Sequence, residues 1–142
     1  MGWIEDHFRA GNLEQSQTND FAPAARRRWL MLGDELRADV SEFNLCRGGA
    51  EVSQPADNQF LVINANTGMQ LTIQADFEAR AVRYDFSQIN GKSAGAPEGG
   101  MLSMRQSRKG DVEFYSADER LTSEETRKVL LEPMLFPPEM AA

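Results

Sequence analysis

A change of apolar period part-way along the chain limits what it can fold into more than any other feature. Between Phe21 and Leu45, Ala25, Trp29, Leu32, Leu36, Val40 and Phe43 follow one another at spacings of four, three, four, four and three. Those spacings put them on one stripe of a helix. Arg27, Asp34, Arg37 and Asp39 fall away from the stripe, as expected of a helix packed on one side only. After Gly48-Gly49, which ends the helix and lets the chain reverse, apolar residues recur every second position. That is the period of a strand with one buried face. A helix lying on an antiparallel sheet follows, and the fold class is α+β.

Punctuation sets the expected boundaries. Asp20 is a suitable N-cap, and Pro23 fits a first helical turn, where its missing donor costs nothing. Upstream, Trp3 to Arg9 reads as a short helix with Trp3, Ile4 and Phe8 close on one face. Gly11 to Asn19 then reads as polar linker. Residues 1–19 are therefore expected to form a partly flexible arm, 20–132 a single α+β domain, and 133–142 a Pro-rich tail. Gly33 inside the long helix weakens it by about 1 kcal/mol relative to Ala, and leaves room for a strand to come close.

In the sheet region, a weak strand starts near Glu51, and Gln54 to Asn58, with Pro55, reads as a turn. Phe60 to Asn64 is continuously apolar up to its last residue, and Asn66-Thr67-Gly68 supplies a hairpin turn. Leu71, Ile73, Ala75 and Phe77 alternate with polar residues, as do Val82, Tyr84 and Phe86. Asn90 to Gly100 holds four glycines and a proline and reads as a long loop. Leu102 and Met104, then Val112 and Phe114, complete a sheet of about five strands. Thr122-Ser123-Glu124-Glu125 has the form of a capping box ahead of Val129, Leu130 and Leu131, so a short C-terminal helix begins there and is expected to stop by Pro133. Met134-Leu135-Phe136 is then expected to be extended. The order of elements resembles the cystatin-like layout of a helix followed by a meander, at the level of fold alone, with no motif attached to it.

Charge and composition exclude several functions. The chain has 142 residues, 41% apolar and 26% charged, enough for one folded domain. A formal net charge of −7 repels phosphate backbones and anionic lipid, so neither nucleic acid nor membrane is an expected partner. Arg26-Arg27-Arg28 is the one dense basic spot. Three adjacent residues fan around a helix axis, and the expected role is a solvated face. The first residues carry acids rather than a basic start followed by an apolar stretch, and the longest apolar runs are too short to cross a bilayer. A cytoplasmic protein is the expectation.

Catalytic residue types are scarce. The chain has a single His and a single Cys, His7 and Cys46, far apart in sequence and outside any nucleophile motif. Zinc would need several such ligands, and no acidic loop has calcium spacing. Asp76, Glu78 and Asp85 stand among Arg80 and Arg83, a pattern that fits cross-strand charge pairs. Glycines at 91, 95, 99 and 100 lead into a strand rather than a helix N-terminus, so they do not form a phosphate loop. Neither a cofactor nor a metal is expected, and the chain is not expected to be an enzyme.

Surface is what remains. If Leu71, Ile73, Val82, Tyr84, Leu102, Met104, Val112 and Phe114 face the helix, the other sheet face shows Thr72, Gln74, Arg83, Asp85, Ser103, Arg105, Glu113 and Tyr115. Arg and Tyr anchor interfaces, which selects Arg83, Arg105 and Tyr115 as partner-binding candidates. The apolar residues of the two chain ends, Trp3, Phe8, Met134, Leu135 and Phe136, are candidates of the same kind. The expected function is a non-catalytic interaction or accessory domain, adaptor- or chaperone-like, that binds a protein partner or a second copy of itself. The alternative is a carrier that holds a small apolar ligand between helix and sheet. Met31, Met69, Met101 and Met104 beside the aromatics suggest it.

Overall fold

Helix α1 runs from Trp3 to Cys46 and is followed by seven strands and a second helix. The computed structural model describes residues 3–89 and 96–136, with residues 3–20 described as backbone alone. The strands are β1 (Ala50–Ala56), β2 (Gln59–Asn64), β3 (Met69–Asp76), β4 (Ala81–Gln88), β5 (Gly100–Gln106), β6 (Val112–Ser116) and β7 (Glu119–Leu121). They form one sheet in chain order, every neighbouring pair antiparallel. Helix α2 (Ser123–Leu135) follows β7.

The stripe on α1 is buried as its spacing requires. Ala25, Leu32 and Leu36 are fully enclosed, with Trp29, Val40 and Phe43 nearly so. Cross-strand register fixes which sheet face meets them. Val62 pairs with Leu71, Leu71 with Phe86, Val82 with Leu102 and Met104 with Phe114, so all of these share the covered face. Thr72 pairs with Asp85, Gln74 with Arg83 and Arg105 with Glu113, and these share the other. The inward and outward assignment expected from the alternation holds strand by strand.

Three boundaries differ from expectation. The helix does not begin at Asp20 but at Trp3, passing through 11–19 and through Pro23. Pro23 deprives the carbonyl four residues earlier of its donor, and the polar stretch before it has no apolar stripe, so local signals place a start where the backbone continues. The sheet has seven strands rather than about five. Val52 is half-buried and carries β1 along β2 despite Pro55, and the very short β7 pairs with β6. Finally, α2 runs through Pro133 to Leu135, so the expected extended segment is its last turn. Burial of Met134 and Leu135 outweighs the cost of the proline. Residues 137–142, the rest of the expected tail, lie outside the described residues, as do 90–95 of the expected loop.

Two buried polar side chains tie these pieces together. Asn64, 1% exposed, donates from Nδ2 to the Met134 carbonyl at 3.0 Å and accepts the Asn66 N–H at 3.0 Å. It supplies a donor that the last turn of a helix otherwise lacks. Thr126 returns its hydroxyl to the Thr122 carbonyl at 2.8 Å. The expected capping box is present: Thr122 Oγ1 accepts the Glu125 N–H at 3.1 Å, and Glu125 Oε1 accepts the Thr122 N–H at 3.0 Å.

The basic triplet does more than face solvent. The Arg26 and Arg28 guanidinium groups each stand 5.0 Å from a ring centre, over Phe77 and Phe114 respectively. Arg80 stands 4.0 Å from the Phe21 ring. Arginines thus cap aromatic rings along α1, the exposed Arg26 and Arg80 keeping their charges in water while the largely buried Arg28 pairs with Glu35. Arg27 is exposed, as expected.

Candidate functional site

Helix α2 lies beside the second half of α1, and the contact between them is layered. Leu130, Leu131, Met134 and Leu135 make its apolar layer. A polar seam runs alongside. Glu35 takes Arg28 at 2.9 Å through Oε1, and its Oε2 accepts the Ser123 hydroxyl. One turn further along α1, Asp39 accepts Arg127 at 2.9 Å. Arg127 also donates from Nε to the Ser123 carbonyl at 3.2 Å.

The seam shifts its two carboxyls in opposite directions. Burial alone would raise Glu35, but the bonds from Ser123 and Arg28 outweigh it and hold the group below its ordinary value of 4.5. Burial pushes Asp39 above its ordinary 3.8; Arg127 opposes that without cancelling it, and Glu42 and Glu35 add to the rise. Their effects on stability therefore have opposite signs. Glu35, depressed by folding, contributes stability that is whole above pH 4.5 and lost as pH falls through its lower folded value. Asp39 opposes folding while ionised and relieves that cost as it takes up a proton. Glu35→Gln should flatten the decline of the melting temperature below pH 4.5 relative to the parent protein. Melting curves across that range check it, and parallel declines would contradict the assignment.

Where the helices diverge they leave a groove of about 690 Å³, open to solvent. Phe43 of α1 and Leu131, Leu135 and Phe136 at the end of α2 line it with apolar surface. Glu42, Arg47, Glu124, Lys128 and Glu132 stand around it, with Cys46 at the α1 end. Phe136 meets Phe43 edge-on at 5.8 Å, yet 65% of its surface stays exposed. Leu45 on the neighbouring turn is 88% exposed.

The residues selected from sequence fall into separate places. Arg105 and Tyr115 meet on the outer sheet face, the guanidinium 4.5 Å from the ring centre, and Arg105 also reaches Asp118 at 3.1 Å. Arg83 shares that face on β4, paired with Gln74 and Met101. Phe136 is in the groove. Met134 is fully buried in the protein's own core, whereas an extended segment would have offered it to a partner; Leu135 is buried as well, with only its edge reaching the groove wall. Trp3 and Phe8 belong to the helical backbone of α1, and their side chains lie outside the described residues. Phe43, Leu131 and Lys128 were not selected. Two of them read as core apolar residues, and only the convergence of two helix ends some ninety positions apart makes a groove of them.

The acids and arginines near the β3–β4 turn do not gather into a metal site. Among the described residues, no group of three or more His, Cys, Asp and Glu is placed to hold an ion. Among those residues, no helix is long and apolar enough to cross a membrane. No protein-family model matches the chain, and no curated protein or solved structure is detectably similar to it.

Proposed function

We propose that the chain is a non-catalytic interaction domain that receives a short apolar segment of a partner protein in the groove between α1 and α2. The supporting observation is Phe136. A large ring that is mostly in water, packed edge-on against a buried ring at the mouth of an apolar groove, is the surface expected of an interface anchor in a protein awaiting its partner. Charges of both signs at the rim suit recognition of a defined segment rather than general adhesion. The neighbouring titratable groups, Glu35 and Asp39, are engaged in holding α2 to α1, which favours a structural over a chemical role for the seam.

Phe136→Asp tests the reading. The substitution replaces an exposed ring, so folding should be little affected, and a specific partner captured by the parent protein should be lost or weakened at least tenfold. Capture and affinity measurements with both proteins, at matched melting temperatures, decide the matter. Equal binding by the two would remove the groove from the function.

A small-ligand carrier is the second reading, and the groove alters where its ligand would sit. Trp29, Phe60, Leu71, Ile73 and Phe114 fill the space between α1 and the sheet. The space of ligand size is instead the open groove between the two helices.

A further inference from the structure

We propose that the Asn44 carboxamide guards the free edge of β1 against pairing with a second copy of this chain. Among the described residues, β1 is hydrogen-bonded to a strand on one side only, its neighbour β2. The other side is an edge, where unpaired backbone groups offer a template for another strand. The Gly49 carbonyl accepts the Ala65 N–H at 2.9 Å, so Gly49 faces β2 and the next residue, Ala50, faces away. Asn44, in the last turn of α1, occupies both outward groups of Ala50. Its Nδ2 donates to the Ala50 carbonyl at 2.8 Å, and its Oδ1 accepts the Ala50 N–H at 3.0 Å. A side-chain amide thus makes the two bonds that an incoming strand would make.

What remains of the edge is short. By the same alternation Val52 faces outward, and among the described residues no strand pairs with its N–H and carbonyl. Beyond it the register with β2 shifts between Ser53 and Ala56, and Pro55 has no N–H to give. One open rung does not hold a strand. Freeing Ala50 would give two outward residues in succession, and an antiparallel pairing of two copies about residue 51 would then close Ala50 against Val52 on both sides of a two-fold axis. Such a contact is self-complementary, and a second copy is therefore the occupant the edge fits best. Glu51, exposed on β1, would stand directly opposite Glu51 of the other copy, and like charges facing across a strand pair disfavour it. Asn44 and Glu51 are two deterrents at adjacent positions of the edge.

Amide hydrogen exchange on the parent protein gives the first test. The Ala50 amide should exchange about tenfold more slowly than that of Val52 after correction for intrinsic rates, since only the former has an acceptor. The second test is N44A/E51Q. In sedimentation at rising concentration it should pass to a species of twice the parent's mass, with the Ala50 and Val52 amides both protected in that species. Equal exchange of Ala50 and Val52 in the parent would overturn the proposal. So would a folded N44A/E51Q that sediments like the parent at every concentration. If the double variant fails to fold, the exchange rates of the parent decide alone.

Discussion

Replacing Trp29 by Ala should lower the unfolding free energy by about 4 kcal/mol, within the range found for emptying a large aromatic site in a packed core. Trp29 is 1% exposed and stacks on Phe60 with ring centres 4.4 Å apart, while Phe77 meets it edge-on at 6.4 Å. Its indole N–H donates to the Asp57 carbonyl at 2.8 Å, fastening the turn between β1 and β2 to the helix. The substitution removes the stack, leaves a void beneath α1 and leaves that carbonyl with Gln54 Nε2 alone, at 3.2 Å. Against a typical total of about 5–15 kcal/mol for a domain, the loss is large enough to unfold much of the population at moderate temperature. Trp29→Phe separates the contributions: it keeps a ring and loses the hydrogen bond, which is worth about 1 kcal/mol. Urea unfolding followed by circular dichroism measures both. A Trp29→Ala loss under about 1 kcal/mol would mean that the helix is not seated on the sheet through this residue.

Gly33→Val should cost about 3 kcal/mol, and Gly33→Ala should also destabilise, against the ordinary preference of helices for alanine. A Cβ at position 33 would lie 2.5 Å from Cζ and 2.7 Å from Cε1 of Phe60. That ring has no room to retreat, because it is fully buried and Trp29 stacks on it. Alanine in place of glycine in an exposed helix gains up to about 1 kcal/mol, whereas forcing volume into a packed core costs about 1–3 kcal/mol. Overpacking wins in this comparison, more clearly for the branched valine. Thermal melts of the two variants give the sign. If Gly33→Ala proved more stable than the parent, the close approach of Phe60 to the helix backbone would be wrong.

These two residues also show how much of the fold was legible before any coordinates. Trp29 lay on a stripe whose spacing admitted only a one-sided helix, and Gly33 broke helix propensity at a place where a close approach would justify it. The faces of the strands were legible for a similar reason: in a period of two, each apolar residue fixes the side of its neighbours. Boundaries were less so. Pro23 is a local start signal and Pro133 a stop signal, yet the backbone is helical on both sides of each; at Pro133, burial of Met134 and Leu135 outweighs what one missing donor costs. The short β7 carries too few apolar residues to announce a strand, and β1, expected as a weak strand near Glu51, runs on through Pro55 to Ala56 where a turn is expected. They are held by neighbours already in place.

The candidate site was harder to read than the fold. Phe136 could be singled out as an apolar residue beside prolines, but its setting depends on α2 continuing to Leu135 and on Phe43 lying where the two helices part. Both are matters of packing between segments remote in sequence. The arginines show the converse. Arg26 and Arg28 look like surface charge in a linear reading, and only the fold places Phe77 and Phe114 beneath them.

A photo-crosslinking amino acid placed at position 136, compared with the same group at position 83, tests the proposed role of the groove most directly. Phe136 lines the groove, and Arg83 stands on the exposed outer face of the sheet. A discrete partner protein should be captured from position 136 and not from position 83. Capture of that partner from position 83 alone would contradict that role and move the interface to the sheet.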